Sequence, residues 1–312
     1  MNPRTFGMAI LGTGIMGLRM LSALQQHPRF RVVTAWDPNA KTLQSALAQA
    51  TGVRAAASAD DLIGDSDTDV VYIASPPALH AGAVRSVLAA QTACFCEKPL
   101  THDIAEAVSI RDAVLGSGLP FAVNFPFARG AASCRMLELV RDGSLGKIRE
   151  ATIRLRFARW PREWQAGASA WLAGPVEGGF TREVLSHFVF QSLRLFGPAS
   201  VAGVELHRQS GHAETSLRAR LIHTDVEVLI DAAVAGEISD DNRFEVVGER
   251  GSVALTSWSR LEYQGQTSER VDNTAQTLDG LAALLDGRAD HGLATIDEAA
   301  SVVRCIEAML QL

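Results

Sequence analysis

Apolar positions along the first 124 residues fall into short blocks, and the period within them switches between that of a strand and that of a helix. Phe6 to Leu11 is strand-like, and Leu18 to Gln26 has the spacing of a helix. Arg31 to Trp36 is again extended, and Pro38 to about Gln49 helical. Val70 to Ala74 is strongly apolar and rich in β-branched residues, as a strand buried on both faces should be. A helix over Ala78 to Ala90, a strand over Ala93 to Cys96, a helix over Ile104 to Leu115 and a strand over Phe121 to Val123 complete the block. Such β-α-β alternation predicts a Rossmann-like, doubly wound parallel sheet with right-handed crossovers. Ligands of these sheets bind beyond the carboxyl ends of the strands.

The pattern changes after a helical stretch from Ala131 to Arg141. Ile148 to Phe157, Val201 to Arg208, Ser216 to His223, Val226 to Val234, Arg243 to Val247 and Ser252 to Leu255 read as strands. Tight turns at Thr224-Asp225 and Glu249-Arg250-Gly251 join two pairs of them. Thr181 to Phe196 is a helix stopped by Gly197-Pro198, and Ile296 to Leu312 is an amphipathic helix. The expected fold class is α/β: a doubly wound parallel-sheet domain over residues 1–124, then an α+β domain over residues 125–312 with a mostly antiparallel sheet.

The 312 residues suffice for two cores, and 47% hydrophobic with 21% charged residues is ordinary for a globular protein. A net charge of −6 without a basic stripe argues against nucleic acid. The chain has no apolar run of the roughly 20 residues that span a bilayer, so no membrane role is expected. Met1-Asn2-Pro3-Arg4-Thr5 leads straight into a strand without a signal-peptide core, which makes the cytoplasm the expected compartment. Cys94, Cys96, Cys134 and Cys305 make no disulfide framework, and no His/Cys/Asp/Glu cluster has metal-ligand spacing, so no metal is expected.

Candidate chemistry sits at the expected carboxyl ends. Gly12-Thr13-Gly14-Ile15-Met16-Gly17 follows a strand and opens a helix, the context of a dinucleotide fingerprint. The first glycine allows the tight turn, the second admits the pyrophosphate, and the third lets helix and strand pack closely. Asp37 ends the second strand, where a carboxylate accepts hydrogen bonds from ribose hydroxyls and repels a 2′-phosphate; NAD(H) is favoured, with NADP(H) still open. Ser75-Pro76 and Glu97-Lys98-Pro99 lie at the ends of later strands. Arg159-Trp160-Pro161-Arg162-Glu163-Trp164 through Trp171 holds three of the five tryptophans. Arg159, Trp160, Trp164 and Trp171 there read equally as substrate contacts, aromatic faces with a carboxylate-binding arginine, or as a packed or inter-subunit loop.

Taken in order, Gly-Thr-Gly-Ile-Met-Gly, Ala74-Ser75-Pro76-Pro77-Ala78-Leu79-His80, Glu97-Lys98-Pro99-Leu100, Gly178-Gly179 and Phe244 to Gly251 resemble the glucose–fructose oxidoreductase/inositol dehydrogenase/MocA (Gfo/Idh/MocA) family over essentially the whole chain. The resemblance implies that Lys98 hydrogen-bonds the reacting oxygen beside the nicotinamide, with Pro99, often preceded by a cis bond in relatives, holding it. It implies that His187 exchanges the substrate proton, with Glu183, where relatives usually have Asp, in the same network. It also implies that Asn124 lies near the nicotinamide, that His80 packs by the cofactor loop, and that Glu97 positions its loop or touches the cofactor. The open-faced sheet of relatives often makes dimer contacts, so a homodimer or homotetramer is expected. Phe190 stands where many relatives carry Asp or Asn, and Phe125-Pro126-Phe127 where they carry arginines, which leaves room for a less polar ketone or an imine beside the usual sugar or sugar acid. The expected activity is NAD(H)-dependent hydride transfer between nicotinamide and the secondary alcohol or carbonyl carbon of a small molecule. A dinucleotide sensor without catalysis, and a glycosidase that retains its NAD, are the alternatives.

Overall fold

The computed structural model describes residues 4–238 and 240–311. Its residues form two compact units, the chain through Phe125 with Thr274–Ala300, and Pro126–Asn273 with the residues from Ser301 onward. The sequence-based boundary at 124/125 lies next to the first crossing, but Thr274–Ala300 returns to the first unit rather than staying in the second.

The first unit holds β1 (Phe6–Leu11), α1 (Ile15–Gln25), β2 (Phe30–Trp36), α2 (Ala40–Leu47), β3 (Arg54–Ala55), α3 (Ala59–Ile63), β4 (Val70–Ile73), α4 (Pro77–Ala89), β5 (Ala93–Glu97), α5 (Ile104–Ser117) and β6 (Phe121–Asn124). Its parallel sheet runs β3-β2-β1-β4-β5-β6. β1, β4 and β5 are buried at every residue, because helices cover both faces. The short β3 and α3 carry too few apolar residues to stand out in the sequence; Ser58 caps α3 through Asp61 N.

The second unit holds α6 (Ala131–Arg141), β7 (Ile148–Arg156), α7 (Ser169–Leu172), a π-helical turn at Thr181–Leu185, α8 (Ser186–Phe196), β8 (Ser200–Arg208), β9 (Glu214–Ile222), β10 (Glu227–Ala233), β11 (Asp241–Gly248), β12 (Gly251–Thr256), β13 (Arg260–Tyr263) and β14 (Gln266–Thr267). Its sheet runs β14-β13-β12-β11-β7-β10-β9-β8, antiparallel except at β7–β10. Alternation along β7, β9, β10 and β11 buries Ile153, Leu155, Leu217, Leu221, Ile230 and Phe244 on one face. The other face carries ion pairs such as Arg154–Asp241, Arg243–Glu262 and Arg156–Asp231.

The returning segment adds α9 (Thr274–Leu285), and α10 (Ile296–Leu310) runs out of it. Leu278, Leu281 and Leu293 join Met8, Ile10, Leu21 and Leu24 in one core cluster. The helix expected from Ile296 to Leu312 thus ends at Leu310; Leu312 and Met1 to Pro3 lie outside the described residues.

Candidate active site

The first unit brings its candidate residues to one edge of the parallel sheet. Gly12 adopts φ +97°, and a Cβ there would press on the backbone of Ala74 and Ser75, so β1 turns tightly against the end of β4. A Cβ on Gly17 would overlap the Gly12 carbonyl, which fixes the close approach of α1 to its strand. A Cβ on Gly14 would meet nothing within 4 Å, so open space lies over the N-terminus of α1, whose cap makes no side-chain hydrogen bond. Amides at such a terminus, aided by the helix dipole, bind phosphate. Asp37 accepts from Thr13 N at 2.8 Å and from Asn39 N at 2.8 Å, which locks its carboxylate at the end of β2 beside the glycine turn. The Ser75 hydroxyl oxygen is buried without a hydrogen-bond partner at the end of β4. Open space at Gly14, uncapped helix amides and an orphaned hydroxyl together fit a bound dinucleotide.

Further along the same edge, Glu97 is 5% exposed and held from three sides. Tyr72 donates its hydroxyl to Glu97 Oε1, Asn124 Nδ2 donates to the same oxygen at 2.7 Å, and Lys98 N donates to Oε2 at 3.2 Å. The clamp sets the start of the Lys98-Pro99 turn, whose peptide bond is cis. His80, fully buried, places Nδ1 2.9 Å from Pro99 O and Nε2 2.8 Å from Ser75 O, tying the turn after β5 to the one after β4. Burial pushes the His80 pKa down, against the pull of these carbonyls.

Burial also holds the Glu97 pKa above the usual carboxylate value, and the Tyr72 hydroxyl opposes that rise. Stability linked to a raised carboxyl pKa is full below the unfolded value and is lost as pH climbs through the folded one. Tyr72→Phe removes the opposing donor and raises the folded value further. The variant is therefore expected to lose about 1–3 kcal/mol near pH 7.5 and less near pH 5. Urea unfolding at both pH values checks this, and an equal loss at both would exclude an ionised Glu97.

In the second unit, the π-helical turn leading into α8 carries Glu183, and α8 carries His187. Arg182 anchors the turn: its Nε and one Nη bond Glu307 at 2.6 and 2.7 Å, and its other Nη bonds Pro175 O and Gly178 O. Glu214 accepts from Thr181 N at 2.6 Å and fills the space beside Gly179, where φ is +94° and a side chain would collide with the carboxylate. Glu183 accepts from Gln165 Nε2 at 3.1 Å and lies 3.6 Å from the Arg162 guanidinium. Arg162 is 4% exposed, pairs also with Asp240, and donates its Nε–H to Gln165 Oε1 at 2.9 Å. The His187 ring meets the Trp258 indole edge to face at 5.2 Å and Phe127 at 5.8 Å. Among the described residues no group of three His, Cys, Asp or Glu could hold a metal ion, and no helix is long and apolar enough to cross a membrane.

Residues 6–125 match the oxidoreductase family with an NAD-binding Rossmann fold, and residues 134–254 match the GFO/IDH/MocA C-terminal domain. The chain belongs to the Gfo/Idh/MocA oxidoreductase family. An uncharacterized oxidoreductase of Schizosaccharomyces pombe is 31% identical over 211 residues, 64% of this chain and only 55% of the yeast protein. Inositol 2-dehydrogenase of Rhodococcus jostii is 28% identical over 257 residues, 79% of this chain and 67% of that one. Among solved structures, GenD2 from gentamicin A biosynthesis, in complex with NAD, has the same fold with a TM-score of 0.82 at 22% identity, over 99% of this chain and 94% of GenD2.

For this Gfo/Idh/MocA chain, Gly12, Asp37, Ser75, Glu97, Lys98 and Asn124 share one sheet edge, Lys98 belonging to the first unit and Glu183 and His187 to the second. The Trp/Arg segment divides. Trp160 is part-buried with Nε1 donating to Leu172 O, and Trp164 stacks on Arg162 at 4.7 Å although 43% exposed. Arg159 reaches outward to Glu163, and Trp171 lies half-buried on α7. Arg162 is the arginine built into the cluster, and with two carboxylates on it, it is no open carboxylate receptor. Phe190 is fully buried core. Sequence reasoning did not single out Tyr72, Gln165, Asp240 or Trp258. A tyrosine in an otherwise aliphatic strand was the signal for Tyr72; the other three come together only through the fold.

Proposed function

We propose that this protein transfers hydride between NAD(H) and the secondary alcohol or carbonyl carbon of a sugar, sugar acid or related polyol. The observation that carries the reading is the Glu97 clamp, which fixes the Lys98 turn on the same sheet edge as the glycine cradle and Asp37. Bound nicotinamide dinucleotide would supply the hydride donor or acceptor. Gly14 and the amides opening α1 would hold its pyrophosphate, and Asp37 its ribose hydroxyls. Lys98 stabilises negative charge growing on the substrate oxygen, and His187 exchanges the hydroxyl proton. Glu183, held by Gln165 and Arg162, keeps a carboxylate in that network. Likeness to an inositol 2-dehydrogenase supports a polyol. The rings of Phe127 and Trp258 at His187 favour a substrate with one apolar face, such as a deoxygenated sugar or a less polar ketone. A cytoplasmic homodimer or homotetramer built on the second unit's sheet belongs to the same reading.

Nicotinamide absorbance followed against polyols, sugar acids and cyclic ketones tests the activity; firm NADH binding without turnover of any would favour a sensor or a retained-cofactor enzyme. Cofactor choice has its own test. Asp37→Ala is expected to weaken NADH binding roughly tenfold, the size of one or two lost hydrogen bonds, and to change NADPH binding little. A wild-type protein that prefers NADPH would refute the role given to Asp37.

A further inference from the structure

Ser257 and Trp258, between β12 and β13, are successive non-glycine residues with φ of +47° and +70°. L residues rarely adopt this left-handed conformation, and it persists where neighbours enforce it. Two buried-side neighbours do so here. Asn242, 2% exposed, accepts Trp258 N on Oδ1 at 2.9 Å and Ser257 N on its backbone oxygen at 3.3 Å. Its Nδ2 donates to Asp240 Oδ1 at 3.0 Å, and Asp240 Oδ2 accepts the indole Nε1–H of Trp258 at 2.9 Å. Backbone and ring of Trp258 are thereby held by one pair of residues. Ordinary core packing of a tryptophan requires neither the left-handed pair nor a carboxylate on the indole nitrogen.

The clamp delivers the indole to a particular place. Its ring meets His187 at 5.2 Å and 89°, Phe188 at 5.8 Å and Phe127 at 6.1 Å. Arg162 lies 5.8 Å from the indole and joins Asp240 to Glu183. Arg162, Asp240 and Glu183 are thus charged groups of this cluster.

We propose that Trp258, clamped by Asn242 and Asp240, is a positioning residue that fixes the imidazole of His187 for proton exchange. The inference rests on the reading of His187 given above. A free imidazole samples rotamers, and a misplacement of about 1 Å at a reacting group costs on the order of a hundredfold in rate. The indole wall removes that freedom, and Asp240 carries the same constraint, through Arg162, to Glu183.

The test uses the full chain with NAD+ bound, and Trp258→Phe and Trp258→Leu beside His187→Gln. Protonated imidazole quenches an indole that it touches, so tryptophan emission of the wild type should fall as pH drops through the His187 titration. That step should vanish in His187→Gln and in both Trp258 variants. The His187 proton resonance, assigned by its loss in His187→Gln, should titrate with a midpoint moved by about half a pH unit in Trp258→Leu, a roughly threefold change in proton affinity. The shift should be smaller in Trp258→Phe, which keeps a ring. With myo-inositol as probe, kcat should fall on the order of tenfold or more in Trp258→Leu, with the NAD+ KM within twofold and partial rescue in Trp258→Phe. Should Trp258→Leu fail to fold, isosteric Asp240→Asn, which weakens the hold on the indole, should show the same direction of change. Absence of a His187-dependent emission step, or a His187 resonance indifferent to Trp258, overturns the inference. Unchanged kcat in the Trp258 variants beside a dead His187→Gln does so too, while leaving the role of His187 standing. An active His187→Gln removes that role and the inference with it.

Discussion

Lys98→Met is expected to lower turnover by roughly two to four orders of magnitude while leaving NADH affinity within a few-fold. The substitution keeps the length and apolar stem of the side chain and deletes only the charged, proton-bearing end. Nothing in the cradle is disturbed: Gly12, Gly14 and Gly17 lie in the turn after β1 and in α1, Asp37 follows β2, and Glu97 retains Tyr72 and Asn124. The loss should therefore fall on the chemical step. Single-turnover hydride transfer, measured beside equilibrium NADH titration, separates the two quantities. Turnover close to wild type would end the assignment of Lys98, and loss of NADH binding in parallel would make it a cofactor ligand instead.

The largest expected effect on stability belongs to Arg182. Its guanidinium meets both Glu307 oxygens at 2.6 and 2.7 Å, with side chains 7% and 3% exposed, and also bonds the carbonyls of Pro175 and Gly178. Arg182→Met would leave the Glu307 carboxylate buried without its cation, a loss of about 3–5 kcal/mol. That is a large share of the roughly 5–15 kcal/mol by which native proteins are stable. Urea unfolding measures it. The double variant Arg182→Met, Glu307→Leu should recover most of the loss, because the stranded charge is gone and apolar groups can fill the space. A single-variant loss under about 1 kcal/mol, or a double variant no better than the single, would show that the pair is solvated in solution. Glu183 follows Arg182 in the π-helical turn, so a loosened turn should also depress activity.

The candidate site's local geometry was legible in the sequence where it depends on neighbours along the chain. The glycine turn, the strand that precedes it and the helix that follows are consecutive, so their geometry could be read from spacing. The same holds for Asp37 at the end of β2 and for Ala131–Arg141, whose helical bounds coincide with α6. What remained hidden depends on residues far apart in the chain. Tyr72 and Asn124 reach Glu97 across neighbouring strands, and Gln165, Asp240 and Trp258 converge through loops whose path no periodicity records. Unit membership failed for a related reason. Thr274–Leu285 has the apolar spacing of a helix at Leu278, Leu281 and Leu285, but that spacing does not say which core the helix completes.

That last helix has a consequence for how the protein is made. Synthesis runs from the N-terminus, and early domains commonly fold while later ones are still on the ribosome. Here the partners that Met8, Ile10, Leu21 and Leu24 need, namely Leu278, Leu281 and Leu293, emerge only after all of Pro126–Asn273. The nascent first unit therefore exposes an unfinished apolar surface throughout translation of the second, and its core closes only once Thr274–Ala300 has been made.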